Sequence, residues 1–381
     1  MIRVRLVQGI IPHYRIPVFE NLAARPEIDL TIHANLSEGT SSLKGESHVS
    51  GCRLEHFSER TLGPLLWDSQ IVSIAAQPCD VLLLPWRTRS LFTSKAIRAA
   101  RRSDAGVVLW GHGLSKYDNA FRRALRTRLL TKVDALLFYD PMTAKKYVSS
   151  DLPAEKLFAA SNAIDQRPIQ KAIKAWKDEP GRLEAFQRKE GLDPDRTTIF
   201  ISRIEPDKKL DLLLDGLKHA LKHDPGMRLV VVGDGSARGE AEAHARAIEV
   251  DHAVRFLGAI YDETELAGWC LSACCMTYPV AVGLSVMHAF GYGLPVLTSD
   301  DISGHNPEIN AIRPGENGLF YKDGDPGDLG RTLFEFAESD ERRKRMSDAA
   351  RASVGPDGWC IDRMVDGFVE CITAVNARRM S

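Results

Sequence analysis

Short apolar runs alternate with helical patterns along this chain, and this alternation restricts the fold more than any other feature of the sequence. The first series of runs is VRLVQ, IDLTIHA, DVLLLP, GVVLW, DALLFY and LFAAS, and a second series begins with TTIFIS and MRLVVVG. Continuous apolar runs separated by helices indicate parallel strands that are covered by helices on both faces. The sequence therefore predicts an α/β protein with doubly wound parallel sheets.

The two series define two Rossmann-like domains. The first occupies residues 1–165, and the second, whose later runs are AVRFLG, LSACCM, LPVLT and NGLFY, occupies residues 197–355. Residues 166–196 are polar and helix-prone, so we place the interdomain connection there. Residues 356–381 carry apolar side chains at helical spacing and form a C-terminal helix. A chain of 381 residues is long enough for two domains of ordinary size.

The charge balance and the apolar runs limit the partners of the chain. Its 50 basic and 51 acidic residues nearly cancel, which gives no global attraction to nucleic acid. The first residues, MIRVRLVQGII, form a strand that contains arginines rather than a signal peptide. No run approaches the roughly 18 apolar residues that span a bilayer. We therefore expect a cytoplasmic protein without a nucleic-acid partner.

The seven cysteines are scattered without CxxC spacing. This pattern is typical of reduced core thiols in a cytosolic protein. A zinc site built from Cys270, Cys274 and Cys275 is the alternative. Adjacent residues of a strand point to opposite faces, which argues against that site.

The segment 279–308, PVAVGLSVMHAFGYGLPVLTSDDISGHNPE, combines a turn, a helix and a strand. Gly283 allows close backbone approach, and the residues after it have the apolar spacing of one helical face. The first N–H groups of this helix, on Gly283, Leu284 and Ser285, would point at an anion in front of the turn. Gly293 then ends the helix. The segment therefore predicts an anion site.

Two further loops of the second domain carry candidate ligands. Arg203 and Lys208 flank a loop between a strand and a helix, where cations can reach a diphosphate. Gly233 and Gly235 form a short glycine turn after the next strand. The turn does not fit GxGxxG and lacks the acidic residue of a dinucleotide site, so a nicotinamide dehydrogenase is not expected.

In the first domain, the loops after two strands are candidates because ligands of open α/β sheets lie beyond the carboxyl ends of the strands. The loop after the first strand contains Gly9, His13, Tyr14 and Arg15, which can stack on or hydrogen-bond a polar ligand. A proline-stiffened turn with its tyrosine on the core is the alternative. His112 lies between two glycines after GVVLW and is either a ligand contact or a structural histidine.

Residues 116–132 form the pattern of a basic amphipathic helix. A solvated face over a core stripe is one interpretation. The other is reversible contact with anionic lipid at the inner face of the membrane, to which each basic residue adds about 1 kcal/mol.

The 279–308 segment resembles the donor-site signature of retaining glycosyltransferases of the GT-B fold, especially family 4, the group 1 glycosyltransferases. The frame positions of the signature match at Pro279, Gly283, Leu284, Ala289, Gly293, Pro295 and Val296. Both glutamates of the signature are absent, because Val280 stands at the first position and His288 at the second. In the family the first glutamate contacts hydroxyls of the donor sugar, and the second accepts hydrogen bonds from the ribose.

The resemblance implies a role for each candidate. Two Rossmann-like domains would face each other across a cleft, and the C-terminal helix would pack back on the first domain. Arg203 and Lys208 would hold the leaving diphosphate, and His112 would contact the transferring sugar or the acceptor. Other expected donor contacts are Gly9, Ser202, Gly233, Gly235, Ile260, Glu265, Val280, Gly283, Leu284, Ser285, His288 and Glu308. His13, Tyr14 and Arg15 would receive the acceptor, and neither a metal nor a cofactor is implied.

The expected function is therefore transfer of a sugar from a nucleotide-diphosphate donor to a hydroxyl of a saccharide or lipid-linked acceptor, with retention of configuration, in bacterial polysaccharide or glycoconjugate synthesis. Loss of both glutamates leaves a catalytically silent, sugar-nucleotide-binding partner subunit as an alternative. A sugar-nucleotide epimerase of similar fold is another.

Overall fold

In the computed structural model, which describes residues 1–35, 46, 48–87, 89–113, 129–148 and 152–380, the chain forms two compact units. One unit comprises Met1–Ile164 together with Cys360–Ser381, and the other comprises Asp165–Trp359. Each is built on a parallel sheet, as the two series of apolar runs predict.

The first unit contains a seven-stranded parallel sheet in the order β3-β2-β1-β6-β7-β8-β9 and a two-stranded hairpin, β4-β5. The strands are β1 (Ile2–Gln8), β2 (Ile28–Asn35), β3 (Arg53–Phe57), β4 (Arg60–Leu62), β5 (Leu65–Trp67), β6 (Val81–Pro85), β7 (Gly106–Gly111), β8 (Ala135–Phe138) and β9 (Leu157–Ala159). The helices described before Ile164 are α1 (Ile16–Ala23), α2 (Gln70–Ala75), α3 (Thr93–Arg102) and α4 (Pro141–Val148).

The second unit contains a six-stranded parallel sheet in the order β12-β11-β10-β13-β14-β15. Its strands are β10 (Thr197–Ile201), β11 (Arg228–Val232), β12 (Val254–Gly258), β13 (Cys275–Thr277), β14 (Val296–Ser299) and β15 (Gly318–Tyr321). Its helices are α5 (Arg167–Lys177), α6 (Arg182–Glu190), α7 (Leu210–Leu221), α8 (Arg238–Ala247), α9 (Glu263–Cys270), α10 (Ser285–Tyr292), α11 (Pro326–Ala337) and α12 (Asp340–Ser353).

The stretch 166–196 forms α5 and α6, and both belong to the second unit. Trp176 anchors α5, because its indole Nε1 donates to Thr264 O at 2.6 Å. A Cβ on Gly268 of α9 would lie 2.6 Å from the Trp176 ring, so the glycine lets the two helices approach closely. The tryptophan therefore fixes α5 against α9.

The C-terminal helix, α13 (Ile361–Met380), belongs to the first unit. Its buried face joins one of the two apolar cores that cover the first sheet, and includes Met364, Phe368, Ile372 and Val375. Arg25 pairs with Asp366 at 2.6 Å, and Arg379 pairs with Asp104 at the same distance. Burial of one helical face and two ion pairs thus hold this helix on the N-terminal residues of the chain.

Several strands differ from the sequence prediction, among them β4 and β5 of the hairpin, which no predicted run covers. The run LSACCM does not form a strand from residue 271, because α9 extends to Cys270 and Ser272 Oγ donates to Gly268 O at 2.7 Å; the strand begins only at Cys275. The edge strand β3 has no counterpart among the apolar runs, since three of its five residues are exposed. An edge strand with one solvated face lacks the continuous apolar run of a central strand.

Candidate functional site

The loops that follow β10 and β11 lie against each other at the carboxyl edge of the second sheet. Ile204 N donates to Asp234 O at 2.9 Å, and Ala237 N donates to Ile204 O at 3.0 Å. A Cβ on Gly233 would lie 1.8 Å from Ser202 O, and one on Gly235 would lie 2.3 Å from Ile204 O. These glycines therefore permit a close packing that fixes the backbone on both sides of Arg203.

The two predicted diphosphate ligands lie on the loop after β10. The Arg203 side chain is exposed. Lys208 closes a 3-10 turn, Pro206–Lys208, and its side chain is only 16% exposed, with Nζ 3.2 Å from Asp207 Oδ2. Ser202 Oγ shares a 2.6 Å hydrogen bond with the hydroxyl of Tyr278, which follows β13. This bond ties the cationic loop to the chain that leads into α10.

The turn before α10 has a strained backbone and a free row of donors. Ala281 has a φ of 56°, a conformation that is uncommon for residues other than glycine. Val286 N donates to Gly283 O at 3.0 Å. Within the described ranges, the preceding N–H groups of Gly283, Leu284 and Ser285 have no acceptor. The helix therefore presents unpaired donors at its positive end, as an anion site requires.

His305 and Tyr321 brace this turn, and the sequence did not identify either residue. His305 is 6% exposed, and its Nδ1 accepts from Val282 N at 3.1 Å. Its Nε2 therefore carries the hydrogen and donates to Ser299 O at 3.1 Å. The Tyr321 hydroxyl donates to Pro279 O at 3.0 Å. The only sequence signal for His305 is its position directly before the predicted Asn-Pro-Glu.

His288 is oriented by a carboxylate that sequence analysis missed. Its Nε2 lies 2.9 Å from Glu263 Oε1, and the same oxygen accepts from the Tyr292 hydroxyl at 2.6 Å. Burial raises the pKa of Glu263, but the hydrogen bonds from His288 and Tyr292 outweigh burial and leave it below its usual range. Because a carboxylate only accepts, Nε2 carries the hydrogen, and Nδ1 is the nitrogen left for a ligand hydroxyl.

Other predicted donor contacts differ in their exposure. Ile260 and Val280 are half-buried, and Glu265 is exposed in the first turn of α9. Glu308 is 3% exposed in the 3-10 turn Pro307–Ala311. Glu308 is therefore buried, whereas Glu265 is open to solvent.

In the first unit, Gly9 lies beneath a guanidinium. A Cβ on Gly9 would come within 1.9 Å of Arg87 Nη2, and Arg87 pairs with Glu59 at 2.8 Å. Gly9 O also accepts from Asn35 N at 2.6 Å. Gly9 thus packs against an ion pair of the first unit.

The structure brings Arg15 and His112 together through Tyr139. The guanidinium carbon of Arg15 lies 5.2 Å from the Tyr139 ring centroid, and the His112 ring lies 4.5 Å from the same ring. His13 is exposed, and Tyr14 packs edge-on to it at 5.9 Å. Tyr139 ends the run DALLFY, so sequence analysis assigned it to a strand only. These residues follow the carboxyl ends of β1, β7 and β8.

Most of the predicted basic helix 116–132 lies outside the described residues. Where the chain is described, no helix is long and apolar enough to cross a membrane. In the same ranges no three His, Cys, Asp or Glu side chains converge as metal ligands. Cys270 and Cys275 are buried thiols, and burial raises the pKa of Cys270 well above its usual value.

Comparison with protein families gives a match within the second unit, and comparison with curated sequences gives matches over about half of the chain. Residues 183–353 match the family model of the group 1 glycosyl transferases. The D-inositol 3-phosphate glycosyltransferase of Streptomyces bingchenggensis is 29% identical over 200 residues, which are 49% of this chain and 43% of that protein. The chain thus spans less than half the length of this curated relative.

Comparison with solved structures extends over both units. HepE of Anabaena, in complex with UDP, is 15% identical, with a TM-score of 0.71 over 98% of this chain and 100% of that chain. A putative UDP-N-acetylglucosamine 2-epimerase from Listeria monocytogenes is 14% identical, with a TM-score of 0.63 over 99% and 97% of the two chains. At these identities the likeness establishes the fold of the whole chain.

Proposed function

We infer, from the membership of this chain in the group 1 glycosyltransferases and from its GT-B fold, that it transfers a sugar from a nucleoside-diphosphate sugar to a hydroxyl of an acceptor. One observation carries this proposal. The cationic loop with Arg203 and Lys208 and the unpaired N–H groups at the start of α10 follow β10 and β13, which are neighbours in one sheet. A cationic loop and a helix N-terminus are both suited to hold an anion, and a departing nucleoside diphosphate is the anion of this reaction.

Stabilisation of the leaving diphosphate is the chemical task that these groups fit. Charge-assisted hydrogen bonds contribute about 1.5–3 kcal/mol each. We propose that Arg203, Lys208 and the N–H groups of Gly283, Leu284 and Ser285 supply them.

We propose transfer with retention of configuration on the same face of the sugar. The bond between the anomeric carbon and the diphosphate breaks, a bond from that carbon to the acceptor oxygen forms, and the acceptor proton moves to the leaving phosphate oxygen. In this scheme no side chain attacks the sugar. His112, on the loop after β7, would contact the transferring sugar or the acceptor.

The side chain at Val280 limits the donor sugar in this proposal. A sugar hydroxyl left unpaired against an apolar side chain costs about 1–3 kcal/mol. A donor with a less polar edge there, such as a deoxy or N-acylated sugar, would avoid that cost. His288 could accept from one ribose hydroxyl through Nδ1, since Glu263 occupies Nε2.

The acceptor and the place of action are proposals of the same kind. A saccharide or a lipid-linked saccharide in bacterial polysaccharide or glycoconjugate synthesis would fit the expected chemistry. Contact of residues 116–132 with anionic lipid would bring the enzyme to the inner face of the membrane.

Two observations favour other functions, and one assay separates them. The whole-chain likeness to the putative Listeria epimerase favours an epimerase, and the absence of both signature glutamates favours a silent binding subunit. The assay measures free nucleoside diphosphate and conversion of the nucleotide sugar itself, for a panel of nucleotide sugars, with and without acceptor extracts. A transferase releases it with the acceptor, an epimerase converts the nucleotide sugar without an acceptor, and a silent subunit does neither. Failure of the extracts to increase release would contradict the proposed function.

A further inference from the structure

Arg15 is a buried cation in the first unit. The residue is 4% exposed, although arginine is almost never fully buried unless it is paired. It ends the 3-10 turn His13–Arg15, and α1 begins directly behind it at Ile16, with Pro17 in the first turn. The turn is fixed by Arg15 N, which donates to Pro12 O at 2.8 Å. The backbone therefore holds this side chain inside the unit, just beyond the carboxyl end of β1.

Aromatic rings, not carboxylates, surround the guanidinium. Its carbon lies 5.2 Å from the ring centroid of Trp110, 5.2 Å from that of Tyr139 and 5.6 Å from that of Tyr14. Nη1 lies 3.5 Å from the sulfur of Met364, a weak acceptor. Across the described ranges, Arg15 has no ion pair. Four soft neighbours thus take the place of a counter-ion.

This arrangement leaves most of the donor capacity of Arg15 unused. A guanidinium has five N–H groups, and removal of an uncompensated charge from water is costly. Each cation–π contact stabilises the buried charge by about 0.5–2 kcal/mol and involves a face of the guanidinium rather than its N–H groups. Nε and Nη2 are not among the polar atoms that are fully buried without a partner. These two nitrogens therefore keep some accessible surface.

We propose that Arg15 is the counter-ion for an oxyanion on the acceptor, a carboxylate or a phosphate ester. A planar guanidinium binds either group through two parallel N–H bonds. The half-buried Tyr139 ring contacts both Arg15 and the exposed His112, so the anion would lie beside the group assigned to the reacting sugar. This inference rests on the proposed function only in naming the ligand an acceptor.

The test is a binding experiment on the full chain without donor. The probes are glucuronate, glucose 6-phosphate and glucose, which share a sugar ring and differ in charge and in the source of the oxyanion. The readout is the indole N–H signal of Trp110, identified among the six tryptophans with Trp110→Phe. We expect a saturable shift with one or both anionic probes and none with glucose. The responding probe distinguishes a carboxylate from a phosphate.

Arg15→Met is the informative variant, because its apolar chain suits the aromatic rings and Met364. Arg25→Met is the matched control, since Arg25 belongs to the same unit but has a side chain that is 36% exposed and paired with Asp366. We expect Arg15→Met to weaken anion binding at least tenfold, to keep or raise the Tm without anion, and to lose the rise in Tm that the anion gives wild type. Arg15→Lys should retain part of the binding.

Three results would overturn this inference. They are the absence of a shift with either anionic probe, equal affinity in Arg15→Met and wild type, and a Tm loss of several degrees in Arg15→Met, which would make the cation a structural element. UDP binding is measured in the same samples, because it tests the proposed donor site independently of Arg15. Intact UDP binding with no anion binding contradicts this inference alone.

Discussion

Replacement of Glu263 should destabilise the second unit, because two polar groups share its Oε1 atom. Glu263→Ala removes the carboxylate that accepts from the Tyr292 hydroxyl and from His288 Nε2, and leaves the hydroxyl only the backbone oxygen of residue 263, at 3.3 Å. Tyr292 is 2% exposed, so loss of the shorter bond inside the protein should cost about 1–3 kcal/mol. The His288 side chain is 18% exposed, so water could hydrogen-bond to Nε2 and offset part of the lost stability. We expect a total of about 2–4 kcal/mol.

The assay is urea unfolding of Glu263→Ala, Glu263→Gln and a control, Glu265→Ala. Gln keeps one acceptor oxygen and should cost about 1 kcal/mol, and Glu265 is exposed on the same helix and should cost less than about 0.5 kcal/mol. Because the folded-state pKa of Glu263 is lowered, its contribution is present above the unfolded pKa and is lost as pH falls through the folded pKa. A Glu263→Ala protein as stable as its Glu265→Ala control would refute this reasoning.

Four further outcomes are expected. Arg203→Ala and Lys208→Ala should each lower kcat/KM at least about tenfold without a change in Tm, and wild-type kinetics in either would remove its assignment. Gly235→Ala would place a Cβ 2.3 Å from Ile204 O and should weaken UDP binding, whereas Gly239→Ala, which meets no atom within 4 Å, should not. Burial lowers the pKa of His33 from 6.5 to about 4, so up to about 3 kcal/mol of stability should be lost as pH falls between these values, and an unchanged slope in His33→Gln would contradict this. If residues 116–132 contact lipid, the protein should sediment with anionic vesicles at low salt only, and sedimentation that ignores lipid charge would favour the solvated face.

Buried parallel strands were predictable from the sequence, because both faces of a central strand are apolar and leave a continuous run. The run DVLLLP gives β6, and GVVLW gives β7. The edge strand β3 was not predictable from the runs, since most of its side chains are exposed. The end of α9 was also missed, because local hydrogen bonding of Ser272 does not affect hydrophobic periodicity.

The candidate site was predictable where its chemistry is local in sequence. The α10 turn and the loop with Arg203 each lie within one short segment that has its own glycine and charge pattern. Glu263 and His288 are 25 residues apart, and only the folded chain shows that they share a hydrogen bond. Tyr139 was taken for the end of a strand, since an aromatic residue there fits a core and a site equally well. Contacts between side chains of different elements therefore could not be predicted from the sequence patterns.

The most direct test of the diphosphate site is calorimetric titration of the full chain with UDP, UMP, GDP and GMP. The account predicts that one diphosphate binds at least about tenfold more tightly than its monophosphate, because the added phosphate gains a charge-assisted contact of about 1.5–3 kcal/mol. The preference should be clearly smaller in the Arg203→Ala, Lys208→Ala double variant, in which only the N–H groups at the start of α10 remain for the added phosphate. Equal affinity for diphosphate and monophosphate in wild type, or an undiminished preference in the double variant, would contradict the diphosphate site on which the proposed function depends.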